Sequence, residues 1–221
     1  YWSSADLLFS EDVNAIIVAA GVYCANMSQT ELEEELNRFG RRPVITAAVP
    51  LNLTNTYAVL ANCRKSYMDV VTHLKEVHGC KKIAFLSAAA TKSEEAIERL
   101  ESFKEAMAAN KLKFNEKYLF EGNFTDFDAE AALRAVLKKK SDVQFDAIVC
   151  ANDMMAMGAY RVLQELGFAI PKDIKVVGFD DSMVANCSNP RLSTINQNIY
   201  GQGYNCAKTA MDVLDGKEIE R

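Results

Sequence analysis

The chain is 221 residues long, 49% hydrophobic and 25% charged, an ordinary globular composition with enough length to bury a sizeable core in one large α/β domain or two linked lobes. Its net charge of -5 argues against a direct grip on nucleic acid by this segment, because phosphate binding favours a basic face. No stretch approaches the roughly 18 apolar residues that a membrane span needs, and the six cysteines (Cys24, Cys63, Cys80, Cys150, Cys187 and Cys206) show neither C-x-x-C spacing nor a cluster with His73 and His78, which points to free thiols in a reducing cytoplasm rather than to a metal site or disulfide framework.

Strands and helices alternate along the chain. Residues 15–20 (AIIVAA) are short, apolar and β-branched, a buried strand. Ser28-Gln29-Thr30-Glu31 is a capping box that opens a helix running to about Arg38. Residues 43–49 are the next strand. Val70, Val71, Leu74 and Val77 have helical spacing over residues 67–78, and Gly79 stops that helix. A third strand covers 82–87. Thr91-Lys92-Ser93-Glu94 caps a helix to about Ala109, and 118–120 is a short strand. Thr125 caps a helix ending in Lys138-Lys139-Lys140, cations where the helix dipole favours them. Residues 145–151 form a strand that runs into Asn152-Asp153, and a helix follows to Leu166-Gly167. Residues 174–179 form a strand ending at Asp180-Asp181, a loop leads to the strand 192–195, and a last helix spans about 200–214. Near-continuous apolar strands alternating with helices imply a parallel sheet covered on both faces.

In such sheets ligands bind beyond the carboxyl ends of the strands, which makes each strand exit worth reading. Two exits are strongly polar. Asn152 offers both amide donors and an acceptor, and Asp180 offers a carboxylate that accepts several hydroxyl donors. Together they suit a polyhydroxylated or otherwise polar small ligand. Asp153 reads equally as the N-cap of the following helix. No G-x-S-x-G, H-E-x-x-H, Walker A or G-x-G-x-x-G signature is present, and Gly201-Gln202-Gly203 reads as helix-start geometry.

Three segments carry a family resemblance. Ala151-Asn152-Asp153-Met154-Met155-Ala156-Met157-Gly158-Ala159 resembles the A-N-D-x-x-A-x-G-A segment of lactose-repressor (LacI/GalR) effector domains. Gly167-Phe168-Ala169-Ile170-Pro171-Lys172-Asp173-Ile174-Lys175-Val176-Val177-Gly178-Phe179-Asp180-Asp181 resembles that family's G-x-x-I-P-x-D-I-x-V-V-G-F-D-D, and Pro190-Arg191-Leu192-Ser193-Thr194-Ile195-Asn196-Gln197 is similar to its P-x-L-T-T-I-x-Q. The resemblance implies an α/β, two-lobed, parallel-sheet Rossmann-like sandwich of the type I periplasmic-binding-protein kind, truncated at both ends. Residues 1–61 and 197–216 would be the remnant of the N-terminal lobe, 62–196 the C-terminal lobe, and 217–221 the start of a return segment. The chain opens on Tyr1-Trp2-Ser3, as an excised piece would, and the helix-turn-helix DNA reader lies outside it.

The same resemblance implies the site. Arg99 matches an arginine that reaches ligand hydroxyls or carboxylates, and read from spacing alone it is a surface ion pair with Glu95. Phe124 matches an aromatic that stacks on the ligand, or else packs in the core. Asn152 and Asp180 match the second lobe's polar contacts, and Gln197 matches a hinge residue that touches ligand. Two positions depart from the pattern: Ala48 stands where members often carry Asp, and Ala61-Asn62-Cys63-Arg64-Lys65-Ser66 replaces the usual D-N-x-x-G-G crossover. The implied function is a cytoplasmic, dimeric sensor that is not an enzyme. It would need no metal or cofactor, bind a sugar or nucleobase-like molecule between its lobes, and control operator DNA allosterically through a separate N-terminal module. Two readings stand beside it. One is the same sensor fused to another signalling output, such as a diguanylate cyclase or kinase. The other is a Mg²⁺-dependent phosphoryl-transfer enzyme using Asp153, Asp180 and Asp181.

Overall fold

The computed structural model describes residues 12–19, 28–47, 50–60, 62–88 and 94–219. The expectations attached to Ala20, Cys24, Ala48, Val49, Ala61 and the 91–93 cap lie outside these residues. The chain divides into two compact units, Tyr1–Ala61 with Asn198–Arg221, and Asn62–Gln197.

The first unit holds three parallel strands in the order β1-β2-β3: β1 Ile16–Ala19, β2 Val44–Ala47 and β3 Thr56–Val59. Helix α1, Gln29–Asn37, starts at the Ser28 capping box, where Ser28 and Glu31 bond each other's backbone amides. Its Leu32 and Leu36, with Phe39, pack on Ile16, Val18 and Val44. Successive side chains of a strand point to opposite faces, so Ile45 turns the other way and meets Cys206 and Ala210. Those two belong to the closing helix, Ile199–Leu214, whose first turn is capped by Asn198 through the Gly201 amide. Strand β3 is apolar at Tyr57, Ala58 and Val59, and Tyr57 and Val59 pack, partly buried, on the Ile45–Cys206–Ala210 cluster, while only Thr56 is fully buried. Polar bonds hold its start: the Thr56 hydroxyl donates to the Leu51 and Leu53 carbonyls, and Asn55 Nδ2 donates to the Gly40 and Arg42 carbonyls.

The second unit is a five-stranded parallel sheet in the order β5-β4-β6-β7-β8. The strands are β4 Ile83–Ser87, β5 Leu119–Glu121, β6 Ala147–Cys150, β7 Lys175–Asp180 and β8 Ser193–Asn196. Between and around them run α2 Cys63–Glu76, α3 Glu94–Ala109, α4 Asp126–Val136, α5 Asp153–Glu165 and the one-turn α6 Met183–Cys187; the closing helix is α7. Residues 63–66 of the segment that departs from the family pattern open α2, capped by Asn62, which accepts from the Lys65 amide. Gly79 ends the turn beyond α2 at φ +68, a value that favours glycine. The core is aromatic: Tyr67 stacks on Phe179 with centroids 5.6 Å apart, and Phe85 on Phe103 at 4.6 Å.

Two details differ from expectation. The triple-lysine run does not continue α4, which stops at Val136; the Asp142 carboxylate takes the Lys138 and Lys139 amides, and Lys140 opens a short 3-10 helix, Lys140–Asp142. The loop after Asp181 contains α6, whose N-terminal Ser182 gives its hydroxyl to Asp153 and not to its own helix.

Helices α4 and α5 cross closely at Gly158. A Cβ there would sit 2.5 Å from the Asp126 carbonyl oxygen and 3.0 Å from the Ala129 methyl. The clash outweighs the ~1 kcal/mol that alanine gains over glycine in a helix. Gly158→Ala is therefore expected to destabilise by about 1–2 kcal/mol, the scale of overpacking. A melting temperature at or above that of the parent would show that the helices can separate freely.

Candidate functional site

The order β5-β4-β6-β7-β8 means that the chain leaves β4 first to one side and then returns to the other. This reversal makes the carboxyl ends of β4 and β6 the switch point where open α/β sheets bind ligands. Four of the five residues singled out in the sequence stand at strand exits on that edge: Phe124 after β5, Asn152 after β6, Asp180 closing β7 and Gln197 after β8. The fifth, Arg99, comes from α3. Continuing the β6–β7 register sets Asn152 level with Asp180.

All five belong to one connected set. Gln197 Nε2 donates to Asp180 Oδ1 at 2.8 Å, and Arg99 Nη1 lies 3.6 Å from the same oxygen. Arg99 also donates to the Ala151 carbonyl, one residue before Asn152, and to Glu95. The Asn152 amide donates to the Phe124 carbonyl at 3.0 Å, and the Phe124 ring centroid is 5.8 Å from the Arg99 guanidinium.

Arg99 and Phe124 differ from their simplest sequence readings. Arg99 does pair with Glu95, but not at the surface: it is 3% exposed and lies 4.0 Å over the Phe179 ring. Phe124 is half-buried and outside the core, held at φ +61 directly after Asn123 at φ +41. Asp180 follows at φ +118 and Asp181 at φ +56. Non-glycine residues rarely occupy this region, and such strain gathers at functional sites.

The N-cap of α5 is Asn152, which accepts from the Met155 amide at 2.8 Å, and not Asp153. Asp153 is fully buried and accepts from the Ser182 amide, the Ser182 hydroxyl and the Thr194 hydroxyl at 2.7, 2.8 and 2.5 Å. It ties α5 to the exits of β7 and β8, and only glycine fits beside it: a Cβ on Gly178 would lie 2.2 Å from its Oδ1. A metal shared by Asp153, Asp180 and Asp181 has no basis in this arrangement. Asp181 is exposed and bonded to Asn196, and among the described residues no three acidic, His or Cys side chains form a metal-binding group.

Electrostatically the site is acidic. Burial, with repulsion from Asp153 and Glu95 set against attraction to Arg99, pushes the Asp180 carboxyl up to about 7. The thiol of Cys63, on the neighbouring α2, is pushed by burial up to about 11, which keeps it protonated and unreactive. The sequence marked the strand-exit residues by type and motif. Glu95 was visible only as a partner at i−4, because its partial burial depends on how α3 lies on the sheet.

Arg99→Lys is expected to lower stability by about 2 kcal/mol, since an ammonium cannot hold Glu95, the Ala151 carbonyl and Asp180 together or lie flat on Phe179. Denaturant midpoints measure this, and an unchanged midpoint would mean that the fork is dispensable.

A parallel sheet with hydrogen-bonded polar residues and strained backbone gathered over its carboxyl edge defines an α/β domain of the ligand-binding class. The chain belongs to the periplasmic binding protein-like domain family, whose model matches residues 71–221. It is similar to LacI-family transcription regulators, as its motifs indicated. It is 36% identical over 124 residues to the HTH-type transcriptional regulator CelR of Thermobifida fusca, covering 56% of this chain and 36% of that one. It is 30% identical over 200 residues to the HTH-type transcriptional repressor PurR of Vibrio cholerae, covering 90% and 58%. A solved CelR–cellobiose complex superposes with a TM-score of 0.81 at 26% identity, over 97% of this chain and 63% of that one. The chain spans about half the length of the curated relatives it matches. Among the described residues no helix is long and apolar enough to cross a membrane.

Proposed function

We propose that this chain is the effector-sensing part of a LacI-type transcription regulator, and that it holds a sugar or similarly polar small molecule over the carboxyl ends of β5 to β8. The observation that carries this reading is the single network joining Arg99, Phe124, Asn152, Asp180 and Gln197 at a topological switch point. Asp180 and Gln197 supply an acceptor and a donor for hydroxyls, and the half-buried Phe124 ring supplies a face for a sugar or base. Arg99, sealed beneath them, positions Asp180 and the Ala151 carbonyl. The similarity to CelR, solved in complex with cellobiose, supports a sugar as the ligand class. The HTH-type regulators that the chain resembles support a role in controlling transcription.

The test is calorimetry and thermal shift of the full-length regulator against cellobiose, related sugars and purine bases. A ligand at a hundred times its dissociation constant raises apparent stability by about 2.7 kcal/mol, and the same ligand should change operator affinity. Silence across the whole panel would reject the sensor reading.

A further inference from the structure

Glu95 and Arg99 lie one helical turn apart on α3, a spacing that gives weak pairs on exposed helices. Here the pair is enclosed: the Arg99 side chain is 4% exposed, Glu95 15% and Asp180 24%. One arm of the guanidinium goes to Glu95. The other goes to the Ala151 carbonyl and faces Asp180. Its flat side is covered by Phe179, and its Nε is buried without a hydrogen-bond partner. No donor of this cation is left at the surface for an incoming anion.

The charges around it do not balance. Asp180 faces Arg99 and Glu95 of α3, Asp153 of α5 and the neutral Gln197 after β8. One guanidinium therefore serves two carboxylates directly, with the acidic Asp153 close behind. The upward displacement of Asp180 to about 7 comes first from its burial, with Asp153 and Glu95 adding to it against the attraction of Arg99.

We propose that Glu95 is a specificity-determining residue: by neutralising Arg99 it turns this strand-exit site into one that rejects anionic ligands and takes neutral or ammonium-bearing polyols. The proposal rests on the ligand site described above. A carboxylate or phosphate brought to Asp180 meets like charge, and Arg99, the cation paired with Asp180 among the described residues, is already engaged. A hydroxyl or an ammonium donates to the same carboxyl group.

Two measurements test it on the intact chain. The first is calorimetry with a matched set: cellobiose, the β-1,4 disaccharide of glucosamine, and cellobionate. The neutral and amino sugars should bind at least about tenfold more tightly than the acid, the scale of one charge-assisted hydrogen bond gained or lost. Glu95→Gln should narrow that gap. Equal or tighter binding of cellobionate by the parent, or an unchanged ratio in Glu95→Gln, overturns the proposal.

The second needs no sugar. Inorganic phosphate is titrated while the side-chain amide resonances of Asn152 and Gln197 are followed. The parent should show no saturable shift, and folded Glu95→Gln should show one. Saturable phosphate binding by the parent, or none by the folded variant, refutes the role of Glu95. Should Glu95→Gln not fold, the parent's phosphate response still decides. If all three sugars fail to bind, the sensor assignment loses support, while the phosphate result still judges anion rejection independently.

Discussion

Asp180→Asn should make the domain more stable at pH 8 while stripping it of ligand affinity. The folded carboxyl titrates near 7, well above the ordinary carboxylate value of about 3.9. Between these values the native state holds a proton that the unfolded chain has released, so stability falls as pH rises. Asp180 leaves stability unaffected below about pH 4, lowers it progressively through pH 7, and exerts its full destabilising effect above that. Asparagine cannot ionise, so its advantage over the parent should be larger at pH 8 than at pH 5. Binding should move the other way, with a loss of about 2–3 kcal/mol once the charged acceptor is gone. Denaturant midpoints at the two pH values, together with calorimetry against whichever sugar or base binds the parent, measure both effects. A stability difference that is flat with pH would show that Asp180 titrates normally. Parallel losses of stability and affinity would mark it as a structural residue.

Asp153→Ala should be the most damaging single change to the second unit. Its carboxyl group accepts three hydrogen bonds from the half-buried Ser182 and Thr194, and Asp153 itself is fully buried. Removing it leaves those donors without their acceptor, and donors shielded from water cost about 1–3 kcal/mol each when unmade. Partial relaxation of the exposed loop at Asp181 moderates the total, and a loss of about 3–4 kcal/mol is expected. Thr194→Val removes one of the three bonds and should cost about 1 kcal/mol. If Asp153→Ala and Thr194→Val prove equally mild, the carboxyl group is not the clasp between α5 and the β7 and β8 exits. Strand-exit geometry at Asp180 would then have to be held by the sheet alone.

The two readings of Asp153 and Asn152 show where sequence reasoning stopped. Both residues are good helix caps, and nothing local distinguishes which of them turns toward the helix amides. Asn152 caps because Asp153 is drawn across the sheet to Ser182 and Thr194, 29 and 41 residues further on. Similarly, Arg99 and Glu95 announced an ion pair by spacing, and only the packing of α3 over Phe179 removed that pair from water. Strand β3 and helix α6 went unread. The apolar run Tyr57-Ala58-Val59 is too short to tell strand from helix by periodicity, and α6 is one turn long.

Read by itself, the sequence determined the alternation of strands and helices, the parallel sheet, the family, and the residues standing at the polar exits. These follow from local periodicity, caps and motifs, each set by residues within a turn or a strand of one another. The tertiary structure alone decided that Arg99 is buried and already matched, that Asp153 is a clasp, and that Asp180 titrates near 7. Burial and charge are sums over neighbours brought together by the sheet order, and no window of the sequence contains those neighbours.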